Sequence, residues 1–286
     1  MYYYSWNQWI TFFFIYSFLG WVWESCYVSI KSHRWVNRGF LRMPMLPLYG
    51  SGATIMLLLT LPFPGNYVLQ YCLGVIGPTI LEYFTGWAME KLFKMRYWDY
   101  SNQRFNIKGY ICLTSSIAWG FFTLLMTYVL HPPIEHFVLN KIPPVVDYVV
   151  IAVVGVLDTI ESAKVAVDVG KALEKMTDIR AQIDDIQVQL SLLKSQAARI
   201  ASEKKEAAID KVYAAKSSAK ITAQDAKEEA VQKMAVLAAK LEELNLNRES
   251  ITKGMSIFHR GLLRGNPTAA SDRFGAALKE LKERFR

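Results

Sequence analysis

The sequence predicts an all-α protein: a polytopic helical membrane bundle of about five spans, followed by a long cytoplasmic helical or coiled-coil tail. Three observations predict it. The first 169 residues hold long apolar runs poor in charge, all eight tryptophans and nine of the ten prolines precede residue 170, and Lys171 to Lys253 contains neither glycine nor proline. The averages over 286 residues, 52% hydrophobic and 20% charged, conceal this division. Three regions follow: a transmembrane helical domain at 1–169, a long-helix region at 170–250, and a linker with a short basic amphipathic helix at 251–286.

The clearest span is WITFFFIYSFLGWVWESCYVSI, 9–30, with Glu24 as its one charge, and the next clearest is 107–130, with only Lys108 at its edge. About 20 such residues cross a hydrocarbon core of roughly 30 Å as a helix. PMLPLYGSGATIMLLLTL, 44–61, and YVLQYCLGVIGPTILEYFTGWAMEKLF, 67–93, are less clean, the latter carrying Glu82 and Glu90. The fifth, 145–167, becomes charged in its second half. No basic n-region or small-residue cleavage site marks the first run as a signal peptide.

Charge places the connections. Lys31, Arg34, Arg38 and Arg42 lie between the first two spans, and Lys91, Lys94, Arg96, Arg104 and Lys108 between the third and fourth, whereas 62–66 is uncharged. Short basic loops stay cytoplasmic, so the expected setting is the inner membrane with the N-terminus outside and the C-terminus inside. The net charge of +8 fits a surface facing an anionic leaflet of the lipid bilayer. No zinc, helix-turn-helix or aromatic-basic motif points to nucleic acid. Cys26, Cys72 and Cys112 are too scattered for a metal site and read as small packing residues, so neither metal nor cofactor is expected.

The stretch NRGFLRMPMLPLYG, 37–50, is a basic turn running into a kinked entry. Pro44 and Pro47 each remove a backbone donor and Gly50 relaxes the dihedrals, which predicts a regular helix only from about Ala53. Irregular backbone at membrane depth either lines a cavity or lies in the interface, so Pro44, Pro47, Tyr49 and Gly50 are candidate lining residues. Pro78 marks a similar break in the third run.

Glu24, Glu82, Asp158 and Glu161 form the candidate membrane-buried polar site, because a carboxylate in hydrocarbon needs a counter-charge, a proton or the bundle interior. Glu24 and Glu82 have no basic residue a turn away, so a partner must come from another segment. Asn37, Arg38, Arg42, Arg96, Asp99, Arg104 and Asn106 are the candidate loop or charge partners. Coordination of a cation, proton or substrate amine competes with a plain helix-to-helix ion pair. Asp158, Glu161 and Lys164 share a helix face by their spacing of three.

YSFLGWVWE at 16–24, NRGFLRMPMLPLYGSG at 37–52, LEYFTGWAMEKLF at 81–93, RYWDYSNQRFNIKGYICL at 96–113 and the WG at 119–120 resemble the bacterial family named Putative ABC-transporter type IV, or CmpB-like, often called ABC transporter permeases. Met43 stands where that pattern has glycine and Leu48 where it has isoleucine. The resemblance implies a multi-span membrane protein serving as a transporter or permease component of unknown substrate. No G-x-x-x-x-G-K-[ST] occurs in the chain, so an ATPase subunit would be a separate polypeptide.

Two other functions compete. One is a non-catalytic membrane scaffold or regulator. The other is an intramembrane enzyme acting on a lipid-linked or anionic substrate, with arginines holding the anion and a carboxylate as base. No histidine stands in the quoted motifs and no serine or cysteine is arranged with a base.

In the tail, Ile179, Ile183, Ile186, Leu190, Leu193, Ala197 and Ile200 alternate spacings of four and three, as do Ala230, Met234, Leu237, Leu241 and Leu244. Such seams predict pairing, within the chain, between copies, or with another membrane or cytoplasmic protein through 171–247. Phe274, Leu278, Leu281 and Phe285 share one face of the last, basic helix. That face suits a membrane surface, a protein contact or docking on the long helix.

Overall fold

The computed structural model describes residues 4–40, 43–143, 149, 151–210 and 218–285. Among them the chain is all-α, its only β-type pairings being isolated bridges from Arg96 to Ala270 and from Ile107 to Ile111. It divides into two compact units, Met1–Leu173 with Met255–Arg286, and Glu174–Gly254.

In the first unit α1 (Trp6–Ser32) opens on a capping box, Ser5 Oγ accepting from Gln8 N at 3.4 Å while Gln8 Oε1 accepts from Ser5 N at 2.8 Å. Next come α2 (Pro47–Thr60) and α3 (Tyr67–Phe93), the latter capped by Asn66 and ended by Lys94 in the left-handed region. Helix α4 (Leu113–Leu125) continues through a π turn, Met126–Leu130, into α5 (His131–Lys141). Pro132 and Pro133 stand in the first turn of α5 and lack the N–H groups a regular ladder needs. The wider π turn ahead of them, with His131 N–H bonded to Met126 O, carries the helix past that gap.

Helices α1 to α4 pack successively on one another, and α5 returns to α1. Phe12, Tyr16, Ala53, Met56, Leu57, Met126 and Val138 fill the space between them. The closest approaches need missing side chains: a Cβ on Gly74 of α3 would stand 2.3 Å from Thr123 Oγ1 of α4, and one on Gly20 of α1 would stand 2.3 Å from Tyr49 Cβ of α2.

The structure corrects the expectation of about five spans. Among the described residues one helix is both long and apolar enough to cross a membrane, Leu113–Lys141, with a stretch of mean hydropathy 1.5. Only 22% of that stretch is buried, so it is not the enclosed core helix of a soluble domain. At 27 residues α1 and α3 have the length, but their apolar residues are interspersed with amphipathic tryptophan and tyrosine and with Asn7, Gln8 and Glu24 in one and Gln70, Glu82 and Glu90 in the other. Helix α2, with 14 residues, extends about 21 Å and falls short of a bilayer core. Of the fifth run, 145–148 and 150 lie outside the described residues, and its remainder is a π segment, Ile151–Asp158, merging into the charged α6 (Thr159–Asp210).

Two boundaries also differ from expectation. Helix α2 starts at Pro47 rather than near Ala53, since proline at the first helical position gives up a donor that has no intrahelical partner there. The fourth run, expected at 107–130, is helical only from Leu113, 107–111 being a turn closed by Ile107 N on Ile111 O at 3.0 Å, and its helix extends beyond 130 through His131–Lys141.

The first unit is completed by residues 255–285. Helix α8 (Ile257–Gly265) and helix α9 (Gly275–Arg284) bury Leu262, Leu263, Phe274, Leu278, Leu281 and Phe285. Ala270 exchanges backbone bonds with Arg96 at 2.7 and 2.9 Å, and Ser271 Oγ donates to Lys94 O at 2.8 Å. These contacts seat the C-terminal segment on the basic loops.

In the second unit α6 runs beside α7 (Ser218–Lys253), and Ile183, Ile186 and Leu244 are buried together against Ile179, Leu190, Leu237 and Leu241. Ile183 and Ile186 meet Leu244, while Leu192 and Leu193 share a groove with Val236 and Leu237, so the two helices run antiparallel.

Candidate functional site

Glu82 sits on the face of α3 turned toward α4, one turn beyond Pro78, and is 4% exposed. Helix α3 stays continuous through Pro78. Its carboxylate accepts from Tyr100 Oη at 3.1 Å on Oε1, and from Trp119 Nε1 at 3.0 Å and Ser115 Oγ at 3.4 Å on Oε2. Ser115 and Trp119 are four apart on α4 and therefore present one face to it. All three donors are neutral, and among the described residues no basic side chain pairs with Glu82.

Glu82 forms part of the wall of a cavity of about 460 Å³, with Trp23, Tyr49, Tyr100, Cys112 and Trp119. Glu24 stands behind Tyr49, whose hydroxyl donates to Glu24 Oε2 at 2.8 Å, and the Tyr49 and Trp119 rings meet edge to face at 6.3 Å. An aromatic pair thus connects the donor shells of the two acids. Arg38 donates to Glu24 Oε1 from Nη2 at 3.2 Å and from Nε at 3.3 Å. Its Nη1 reaches Gly265 O at 3.0 Å and Asn266 Oδ1 at 2.6 Å. Four of the five guanidinium N–H groups are thus engaged, two on Glu24 and two on the C-terminal segment.

Most of the other candidates brace loops. Asn37 Oδ1 accepts from Gly39 N at 2.9 Å and Trp21 Nε1 at 2.7 Å, closing the turn before Phe40. Arg96, buried, donates to Lys108 O at 2.9 Å and pairs with Asp272 at 2.5 Å. Asp99 accepts from Ser101 N at 3.0 Å and Ser101 Oγ at 2.5 Å, and although partial burial acts in the other direction, these bonds and Arg96 hold its carboxyl below the usual range. Asn106 Nδ2 donates to Ser101 O and Gln103 O, and Arg104 is exposed. Gly109, at φ 71°, completes this loop, because a Cβ there would lie 2.7 Å from Asp99 Oδ1.

Pro44 precedes a tight return in which Leu46 N donates to Ser17 O at 2.9 Å, and Gly50 is held against Phe13 O, so this entry packs on α1 and only Tyr49 of it reaches the cavity. Asp158 Oδ2 accepts from Met43 N at 3.4 Å, and Glu161 pairs with Lys164 at 3.1 Å, so neither joins Glu24 or Glu82. Arg42 lies outside the described residues.

The neutral donors Tyr100, Ser115 and Trp119 were not singled out from the sequence. For Tyr100 and Trp119 the signal was the occurrence of YWDYS and the WG motif beside an acid in α3 with no basic residue a turn away. A second polar cluster was missed as well: His131, 2% exposed, sits between Tyr16 Oη at 2.7 Å and Tyr4 Oη at 2.9 Å, with Tyr4 also donating to Glu135 at 2.5 Å.

Comparison with curated proteins and with solved structures finds no significant match. Residues 11–163, more than half of the 286, match the family described as Putative ABC-transporter type IV, and that stretch holds Glu24, Arg38, Tyr49, Glu82, Tyr100 and Trp119. Its apolar helix Leu113–Lys141 is consistent with a bacterial membrane protein of the permease type. The chain belongs to the Putative ABC-transporter type IV family.

Proposed function

We propose that the chain is a membrane-embedded permease component that recognises a cationic substrate at Glu82. One observation carries this reading: a carboxylate 4% exposed, held by three neutral donors and no cation among the described residues, in the wall of a cavity of about 460 Å³. Exchanging water for such surroundings is costly for a carboxylate, and a cation entering the cavity offsets that cost. Trp23, Tyr49, Tyr100 and Trp119 add aromatic rings, whose faces attract an ammonium group. A small organic amine or quaternary ammonium ion is the ligand class that uses both features.

The end of the bundle bearing Arg34, Arg38 and Arg96 faces the cytoplasm, by the bias of basic residues toward that side. A separate ATPase subunit supplies any nucleotide-driven step. The α6 and α7 hairpin is a scaffold surface for it or for a second copy of the chain, with Val188, Leu192 and Val236 exposed along its length.

Binding needs no ATPase, so the test is direct. Purified chain titrated with tetramethylammonium or with a primary alkylamine should show saturable quenching of tryptophan fluorescence. E82Q, which keeps the shape and loses the charge, should weaken it about tenfold or more. Equal binding by E82Q, with the same response to pH, would sink the cation-binding role.

A further inference from the structure

A second cavity, also of about 460 Å³, lies between the end of α1 and the C-terminal segment, away from Glu82. Its wall holds Arg34, Arg264, Lys279 and Lys282 against one acid, Glu283. Gly275, the first residue of α9, is in the same wall, and Phe274 before it caps that helix with no side-chain bond. Four cations thus line one cavity, which runs along the side of α9 bearing Gly275, Leu278, Lys279 and Lys282.

We infer that this cavity is a binding site for a phosphate group. The chemistry is that of an anion site: fork-shaped guanidinium donors and ammonium point charges gathered in one cavity against a single acid. Lys282 is already placed for it, Nζ donating to Pro267 O at 2.9 Å and Ala269 O at 2.6 Å, which fixes the ammonium at the cavity wall. Burial pulls that ammonium down to about 8, and an anion beside it relieves the penalty. Arg264 is likewise fixed by Nε on Phe285 O at 2.5 Å.

The phosphate has two sources, a phospholipid headgroup or a soluble phosphate compound. Trp35, next to Arg34 and 73% exposed, suits the headgroup depth of a membrane. A bound phosphate would join Arg34 of the basic loop to the C-terminal segment, adding to the latch already made by Arg38.

The site is tested on the full chain in detergent, titrated separately with dioctanoyl phosphatidylglycerol, dioctanoyl phosphatidylcholine and inorganic phosphate, bound ligand being counted by native mass spectrometry. Arg34→Gln with Lys279→Gln is the test variant, since both side chains are exposed, and K253Q in the other unit is the control. Thermal melting establishes that each variant is folded. Saturable binding of phosphatidylglycerol alone, weakened about tenfold or more in the double variant and less than twofold in K253Q, supports a lipid phosphate. The same pattern with inorganic phosphate supports a soluble one. No saturable binding, equal binding of phosphatidylcholine and phosphatidylglycerol, or an unchanged affinity in the double variant overturns the proposal.

Discussion

Arg38 holds Glu24 through two nitrogens, Nη2 at 3.2 Å and Nε at 3.3 Å on one carboxylate oxygen, while Tyr49 serves the other oxygen. Because Nη1 of the same guanidinium binds Gly265 O and Asn266 Oδ1, one side chain connects α1, the basic loop and the C-terminal segment. Side-chain exposures of 9% for Arg38 and 19% for Glu24 make this a largely desolvated pair.

Removing only the cation should therefore be costly. R38Q leaves Glu24 inside the protein with Tyr49 as its remaining partner, an expected loss of about 3–5 kcal/mol. Denaturant unfolding measures it, and limited trypsin digestion should cut earlier within 255–285. In a double-mutant cycle with E24Q the two losses should sum to more than the loss in the double variant. Simple additivity would show that the pair contributes no coupling.

The seating of the C-terminal segment is also tested at two glycines of one helix. A Cβ on Gly265 would stand 2.3 Å from the backbone oxygen of Asn37, an atom that cannot swing aside, whereas Gly261 has open space around it. G265A should lift the segment and raise amide exchange across 257–285, at an expected cost of about 1–3 kcal/mol. G261A should be neutral or stabilising by about 0.5–1 kcal/mol, because alanine loses less entropy in a helix. Equal exchange in the two variants would show that the contact with Asn37 does not hold the segment.

Lys282 sets a pH dependence of known sign. Burial lowers its ammonium from 10.5 to about 8 in the folded chain, so between those values the unfolded chain binds more protons and stability rises with pH. Below about 8 the group is charged in both states and the penalty of burying it is present in full. Melting temperatures taken from pH 7.5 to about 10.5 should show a rising contribution that K282M lacks, even though the methionine variant leaves Pro267 O and Ala269 O without their donor. An identical pH slope in both proteins would exclude Lys282 as its source.

By itself the sequence determined the all-α class, the change of character near residue 170, the family, and the need of Glu24 and Glu82 for partners from other segments. These follow from local signals: apolar runs, the absence of helix breakers, seams of alternating spacing, and acids with no base a turn away. Number of spans was not local in that sense. Tryptophan and tyrosine look apolar in a run of letters, yet their polar edges and the interspersed Asn7, Gln8, Gln70 and Glu90 leave α1 and α3 less apolar than Leu113–Lys141.

Only the tertiary structure decided which partners the acids take. Glu82 gathers Tyr100, Ser115 and Trp119 from 18 to 37 residues away, and Arg38 reaches Gly265 and Asn266 across 227 and 228. Contacts over such separations depend on how helices and loops pack, through the missing side chains of Gly20, Gly74 and Gly265, and no periodicity encodes them. The residue types state that a buried carboxylate must be satisfied; the packing selects a cation for Glu24 and three neutral donors for Glu82.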